Sequence, residues 1–185
     1  AAAPLLRSAE QVRWLDWLEA DHDNLRAAGD WLHGARRTEE ELRLTAAMHW
    51  FWDRRGYLDE GRARLRRALD AAPRIETEED DKDARLRRAR AWALIGAAGL
   101  AFDQGDHGSV AAAAEESAQL FAQLGDQPGD LGGLALAELR LAFVASAAEP
   151  QRAGDLLAAA LVHAAATGDP WFKGLAMFVA AQASL

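Results

Sequence analysis

The chain lacks cysteine altogether among its 185 residues and has few β-branched side chains. Without thiols it has neither a disulfide framework nor thiolate ligands for a metal. Isoleucine, valine and threonine supply only 11 residues, whereas alanine and leucine supply 70. Because β-branched residues favour strands while alanine and leucine lose little entropy in a helix, this composition predicts an all-α fold.

Long hydrophobic runs are also missing. Uncharged stretches such as residues 91–102 are far shorter than the ~20 residues that span a bilayer. No basic segment precedes an apolar run near the N-terminus, so no secretory signal is expected. We therefore expect a cytoplasmic chain that does not contact the membrane. Since it opens Ala-Ala-Ala-Pro without methionine, we interpret it as a fragment of a larger protein.

Positive charge is scarce as well, and it is unevenly distributed. The formal net charge is −8, and residues 91–185 contain only three basic side chains against ten acidic ones. An acidic chain gains nothing from counterion release on DNA, so direct nucleic-acid binding is not expected.

The motifs of common catalytic sites do not occur. The sequence contains no P-loop lysine motif, no H-E-x-x-H and no G-x-S-x-G nucleophile elbow. With no thiol and only five scattered histidines, we expect no catalytic residues, no metal site and no cofactor. The chain is interpreted as a non-enzyme.

Regular turn signals divide the chain into helices. Gly56 and Gly105 each separate two helical patterns, and the Gly-Asp-x-Pro turn at Gly125 returns as Gly-Asp-Pro at Gly168. Glycine at a helix end with proline shortly beyond is typical of one helix closing and another starting. A first helical segment is predicted at residues 8–33; it is either one helix or two, because Asp21 and Asp23 could each cap a new start. The further predicted helices lie at residues 39–55, 58–72, 84–103, 107–124, 130–147, 151–167 and from Trp171 onward. Residues 73–83, which are rich in acidic side chains, are predicted to be a loop.

The spacing inside the helices is that of a helical repeat. Trp92, Ile95, Gly96 and Gly99 follow the tetratricopeptide (TPR) opening W-x-x-L-G-x-x-Y, with glycine at the aromatic position. The turn signals recur after 43 residues, which exceeds the usual repeat of about 34. We therefore predict TPR-like antiparallel hairpins stacked in a right-handed superhelix. Residues 1–185 form one domain, with an N-terminal segment and first hairpin in 8–72 and further hairpins, the last truncated, in 84–185.

Three groups of polar residues have both a functional and a structural interpretation. Asp21-His22-Asp23 resembles part of a metal or acid–base site, but His22 also falls on a core-facing stripe, which we favour. The acidic run 76–83 lacks the ligand pattern of a calcium loop, so we interpret it as a solvated loop. The arginines of 62–67 and 85–90 are expected to form ion pairs on solvated faces rather than to grip phosphates.

Residues 50–57 contain the densest group of aromatic and cationic side chains. Trp50, Phe51 and Trp52 are consecutive, so at least one of them must point away from the core of a helical hairpin. Arg54 and Arg55 follow after Asp53. The group either packs the first hairpin against the N-terminal segment, which we favour, or binds a peptide or flat ligand.

Residues 14–28 and 50–62, continuing to Leu65 and Leu69, carry a family resemblance. Both resemble the region after the nucleotide-binding module in bacterial STAND-type signalling ATPases, including LuxR-type and antibiotic-pathway regulators. The first 70 residues carry the specific match, and the later repeats are generic. The resemblance implies a non-catalytic sensor arm that binds a protein partner or a small effector and controls the parent protein. The ATPase and DNA-binding modules would then lie elsewhere in the parent chain.

Two alternatives remain open: a stand-alone TPR-like adaptor for a partner peptide, and a small-molecule-binding helical domain. In stacked hairpins, side chains of successive first helices converge on a concave groove. The candidate groove residues are Trp50, Arg54, Trp92, Arg140 and Phe143.

The last predicted helix lacks the polar outer face that usually caps a repeat array. Only Lys173 is charged among its apolar side chains, so we expect an exposed apolar face and self-association through it. The apolar residues are Trp171, Phe172, Leu175, Phe178 and Val179.

Overall fold

Alanine- and leucine-rich segments separated by glycine turns fold into consecutive α-helices in a computed structural model, which describes residues 10–73 and 81–183. No strand occurs within those two ranges. The helices are α1 (Gln11–Ala20), α2 (His22–Gly34), α3 (Thr38–Arg55), α4 (Leu58–Ala71), α5 (Asp81–Asp103), α6 (His107–Leu124), α7 (Pro128–Ala145), α8 (Pro150–Ala166) and α9 (Pro170–Ala183). None of these helices is long and apolar enough to cross a bilayer.

The all-α prediction is confirmed, and most helix ends lie within two residues of their predicted positions. One open question is answered and one region differs. The segment at 8–33, for which one helix and two were both possible, is two helices, because the chain breaks at Asp21, whose carboxylate accepts a hydrogen bond from Asn24. Helix α5 begins at Asp81, inside the predicted loop, while residues 74–80 of that loop lie outside the described residues.

Glycine and proline lie at the helix boundaries where the turn signals predicted them. Gly56, which ends α3, has φ +77°, in the left-handed region that glycine enters without steric cost. Proline occupies the first position of α7, α8 and α9, where its missing N–H has no helical partner to lose. Glycine therefore follows the ends of α3, α5, α6 and α8, and proline starts α7, α8 and α9. The other glycines with positive φ are Gly105, Gly125 and Gly168.

The helices pair in sequence as antiparallel hairpins. Helices α3 and α4, α5 and α6, and α7 and α8 pack against each other, and each second helix also contacts the next first helix. The first helices α3, α5, α7 and α9 additionally contact one another in order, so they form a continuous row. Helices α1 and α2 pack on α3 at the front of this row.

Small residues set the distance between neighbouring helices. A Cβ on Gly96 of α5 would lie 2.9 Å from Cβ of His49 on α3, and one on Gly133 of α7 would lie 2.2 Å from the Phe121 ring. Both distances are shorter than real Cβ contacts. Gly96, the glycine of the repeat-like motif, therefore allows the first helices α3 and α5 to touch.

Candidate functional site

The row of first helices presents one surface that joins side chains distant in sequence, and we call it the inner face. The ring of Trp50 on α3 meets the ring of Trp171 on α9 edge to face, with centroids 5.9 Å apart. Because α5 and α7 lie between these helices in the row, the row must curve until its ends approach each other. The inner face is therefore concave and is bridged by this pair of tryptophans.

The aromatic group at residues 50–52 divides between core and inner face. Phe51 and Trp52 are buried, whereas Trp50 is only partly buried and faces Trp171. The expectation that one of the three consecutive aromatics would leave the core is confirmed. The Arg54 guanidinium lies 5.6 Å from the Trp50 ring centre and is half exposed, which is a geometry for a cation–π contact.

Arg140 and Phe143 of α7 lie together against the end of α5. The Arg140 guanidinium carbon is 4.7 Å from the centre of the Phe102 ring, and the Phe102 and Phe143 rings are 4.6 Å apart edge to face. Gly99 lies beside Arg140, where a Cβ would meet the guanidinium at 3.5 Å, an ordinary van der Waals distance. Phe143 remains 44% exposed, so this aromatic and cationic surface is open to solvent.

Two carboxyl groups lie beside these arginines. Asp53 at the end of α3 is within hydrogen-bonding range of Asp103 at the end of α5, and its carboxylate lies 3.4 Å from Nε of Arg54. Burial and the charge of Asp103 raise the pKa of Asp53, while Arg54 and Arg140 oppose that rise. The carboxyls thus interact with each other as well as with the arginines.

Arg140 is partly buried and lies near the carboxyl groups of Asp53 and Asp103. Burial lowers its pKa, although the charges of Asp103 and Asp53 act in the other direction. Within the described residues it forms no direct ion pair; its guanidinium stacks on Phe102 instead. Arg140 has no buried side-chain nitrogen without a hydrogen-bond partner, so the unbonded donors of its guanidinium reach solvent. Arg140 is therefore a donor available to an incoming anionic or carbonyl group.

Trp92 is the remaining predicted groove residue. It lies on the same side of α5 as Gly99 but at a distance from Arg140. Its spacing of seven residues from Gly99 places it about 10 Å along α5 from the Arg140 contact. There its ring packs edge to face on the Phe121 ring of α6, with centroids 5.4 Å apart, against the hydrophobic core formed by α5–α9. The structure therefore joins Trp50, Arg54, Arg140 and Phe143 through the two aspartates, whereas Trp92 contributes to packing.

Sequence reasoning missed Asp53, Phe102, Asp103 and Trp171 as members of this surface. A signal was present, because Asp53 and Asp103 each lie two or three residues before a turn glycine, at matching positions of successive hairpins. Equivalent positions of neighbouring repeats lie side by side, so this match predicts that the two carboxyls meet.

The other sequence candidates have structural roles. His22 is buried between the rings of Phe51 and Tyr57, with Nε2 3.4 Å from a Glu60 oxygen, so the core interpretation is confirmed. The predicted ion pairs are confirmed at Arg62, Arg64, Arg67, Arg85, Arg88 and Arg90. In residues 10–73 and 81–183, no group of three or more metal-ligating side chains is arranged to hold an ion.

Comparisons with protein-family models, with curated proteins and with solved structures return no match for this chain.

Proposed function

We propose that this chain is a non-catalytic interaction domain that binds a partner or effector on its inner face and thereby controls a larger signalling protein. The observation that carries the proposal is the juxtaposition of Arg140, the Phe102–Phe143 rings and the Asp53–Asp103 pair near the ends of three successive first helices, α3, α5 and α7. Aromatic side chains and arginine are the residues enriched where proteins bind one another.

The chemistry of the inner face favours a ligand with an anionic or carbonyl group next to a flat apolar group. Arg140 supplies donors that no described carboxylate occupies directly, and Phe143 supplies an exposed ring. The Trp50–Trp171 contact narrows the concave surface. A ligand would therefore engage the end of the groove near the α5–α6 turn.

The wider role in a bacterial STAND-type regulator rests on the resemblance of residues 14–28 and 50–62 to such proteins. It makes a direct prediction about the parent gene. A nucleotide-binding module with a Walker A motif is expected upstream of residue 1. A parent without such a module would contradict this role and leave the stand-alone adaptor as the better interpretation.

Arg140→Gln tests the inner face in the parent protein. The expected result is a several-fold change in the rate of ATP hydrolysis, because the variant removes the charge through which the partner or effector acts. Arg43→Gln, on an exposed side chain of α3, removes the same charge and is expected to leave the rate unchanged. Equal rates for Arg140→Gln and the parent would contradict the proposal.

A further inference from the structure

A second concave feature lies on the side of the second helices, away from the inner face. It is a cleft of about 300 Å³ between α4 and α6, with α5 as its floor. Leu94, Ala97 and Ala101 form the floor, and Ala112 and Ala113 form part of the α6 wall. The short alanine side chains leave this space open, and its volume falls at the lower end of the range for small-molecule sites.

Three arginines and two carboxylates surround the apolar floor. Arg90 is largely buried; it donates to Glu116 at 2.6 Å and to the carbonyl oxygen of Leu69 at 2.9 Å. Arg62 donates to Gln104 at 2.7 Å and to Asp106 at 2.5 Å. These two arginines are fixed in place by partners within the protein.

Arg66 differs from the other two. It lines the cleft and is exposed, yet it forms no ion pair or hydrogen bond with the residues that the structure describes. Asp70, the remaining carboxylate of the lining, lies one helical turn further along α4 and forms no ion pair with Arg66. The cleft thus combines an apolar floor with a cation at its edge that has no ion-pair partner among residues 10–73 and 81–183.

We infer that this cleft binds a small amphiphilic anion, a carboxylate with an aliphatic tail of roughly eight carbons. Arg66 takes the carboxylate, because its planar guanidinium presents paired donors to that group. The alanine floor and Leu94 take the tail, whose removal from water is favourable. The site lies apart from the inner face, so this inference does not depend on the proposed function.

Isothermal titration calorimetry with octanoate tests the inference. Octanoate is expected to bind the wild-type chain, and Arg66→Gln is expected to weaken that binding about tenfold, as the loss of a hydrogen bond to a charged group does. Octylammonium carries the same tail with the opposite charge and is expected not to bind. Arg43→Gln is the matched control for net charge and is expected to bind octanoate like the wild type.

Ala112→Phe tests the apolar part of the cleft. Ala112 is exposed on α6, so a larger side chain fills the cleft without entering the core, and circular dichroism checks that the helices remain. Octanoate binding is expected to be lost. Undetectable binding to the wild type, unchanged binding in either Arg66→Gln or Ala112→Phe, equal loss in Arg43→Gln, or binding of octylammonium as tight as that of octanoate would overturn the inference. Arg140→Gln, the inner-face variant, is expected to bind octanoate normally.

Discussion

The front of the molecule (α1–α4) and its rear (α5–α9) hold helices together in different ways. The front buries large side chains, among them Phe51, Trp52 and Leu65, and surrounds them with linked ion pairs. The rear buries mainly alanine, and the rings of Phe121 and Phe172 there sit on glycine, as the Trp52 ring does on Gly61 in the front. Large side chains keep helix axes apart and leave room for charged groups, while small ones let the backbones meet.

The front ion pairs form a network rather than isolated contacts. Glu60 accepts hydrogen bonds from Arg26 at 2.8 Å and from Arg64 at 3.0 Å, and Asp30 accepts from Arg64 and Arg67. Arg67 also reaches the buried Glu41, which His33 contacts from the other side. Stability in the front is therefore sensitive to charge as well as to volume, whereas stability in the rear is sensitive mainly to volume.

The largest effect is expected from adding volume in the rear. Gly133→Ala would place a Cβ 2.2 Å from the Phe121 ring, so the ring or the helix must move. Overpacking of this kind destabilises by about 3 kcal/mol, measured by urea unfolding.

Alanine substitutions at two other helical glycines, Gly29 and Gly154, are controls for the Gly133→Ala variant. At Gly29 in the front, a Cβ meets only the tip of Arg64 at 3.4 Å, and at Gly154 it meets nothing. Gly154→Ala is expected to stabilise by up to about 1 kcal/mol through helix propensity, and Gly29→Ala to cost far less than Gly133→Ala. A Gly133→Ala variant as stable as the wild type would contradict the claim that the rear is sensitive to added volume.

The next effect concerns the charge pair at the rear with a fully buried carboxylate, Arg88 with Asp130. Asp130 is 2% exposed and accepts two hydrogen bonds from Arg88, at 2.6 and 2.7 Å. Arg88→Ala leaves a buried carboxylate without this partner and is expected to cost about 3 kcal/mol in urea unfolding.

The double variant Arg88→Ala/Asp130→Ala separates loss of the pair from loss of volume. It is expected to recover part of the stability, because no buried charge remains. If the double variant is less stable than Arg88→Ala alone, volume rather than charge dominates at this site too.

Acid is expected to weaken the front more than the rear. Hydrogen bonds from Arg26 and Arg64 hold the pKa of Glu60 at about 2, below its usual 4.5. A carboxyl with a lowered folded-state pKa contributes stability that is complete above about pH 4.5 and is lost as the pH falls towards 2.

Glu60→Gln should therefore reduce stability at pH 7 and flatten its decline between pH 4.5 and pH 2. Glu115→Gln, at an exposed carboxylate of α6, is the control and should keep the wild-type pH profile. Hydrogen exchange of front and rear helices locates the effect. An equal loss of protection in α5–α9 would contradict the distinction between the regions.

The smallest effect on stability is expected at the last helix. Phe172 is buried and Trp171 faces Trp50, so the exposed apolar part of α9 is smaller than the sequence suggested; it is centred on Met177 and Phe178, at 55% and 60% exposure. Phe178→Ser is expected to change unfolding by less than about 0.5 kcal/mol and to reduce self-association in light scattering. A wild-type chain that stays monomeric at high concentration would contradict the second expectation.

Local chemistry explains why the helices were predictable. A turn glycine with positive φ and a proline at a helix start act within a few residues, so Gly56, Gly168 and Pro170 marked helix ends without knowledge of the fold. The break at Asp21 was not predictable in the same way, because both Asp21 and Asp23 are suitable helix starters. Packing of α1 and α2 against α3 decides between them.

The candidate site was predictable only in part. Trp50 and Arg140 stand out by residue type and repeat position, but the pairing of Asp53 with Asp103 depends on how closely α3 approaches α5. The Trp50–Trp171 contact depends on the curvature accumulated over four first helices. Nothing in the local sequence around either tryptophan specifies that distance.

The amino-acid sequence alone determined that this chain is helical, where its helices end and that they pair in order, since these properties follow from local propensity and short-range periodicity. The tertiary structure decided which side chains share a surface, because small offsets between neighbouring helices add up along the row. Glycines at the helix contacts set those offsets. The inner face and the alanine-lined cleft are therefore consequences of packing between helices rather than of any single motif.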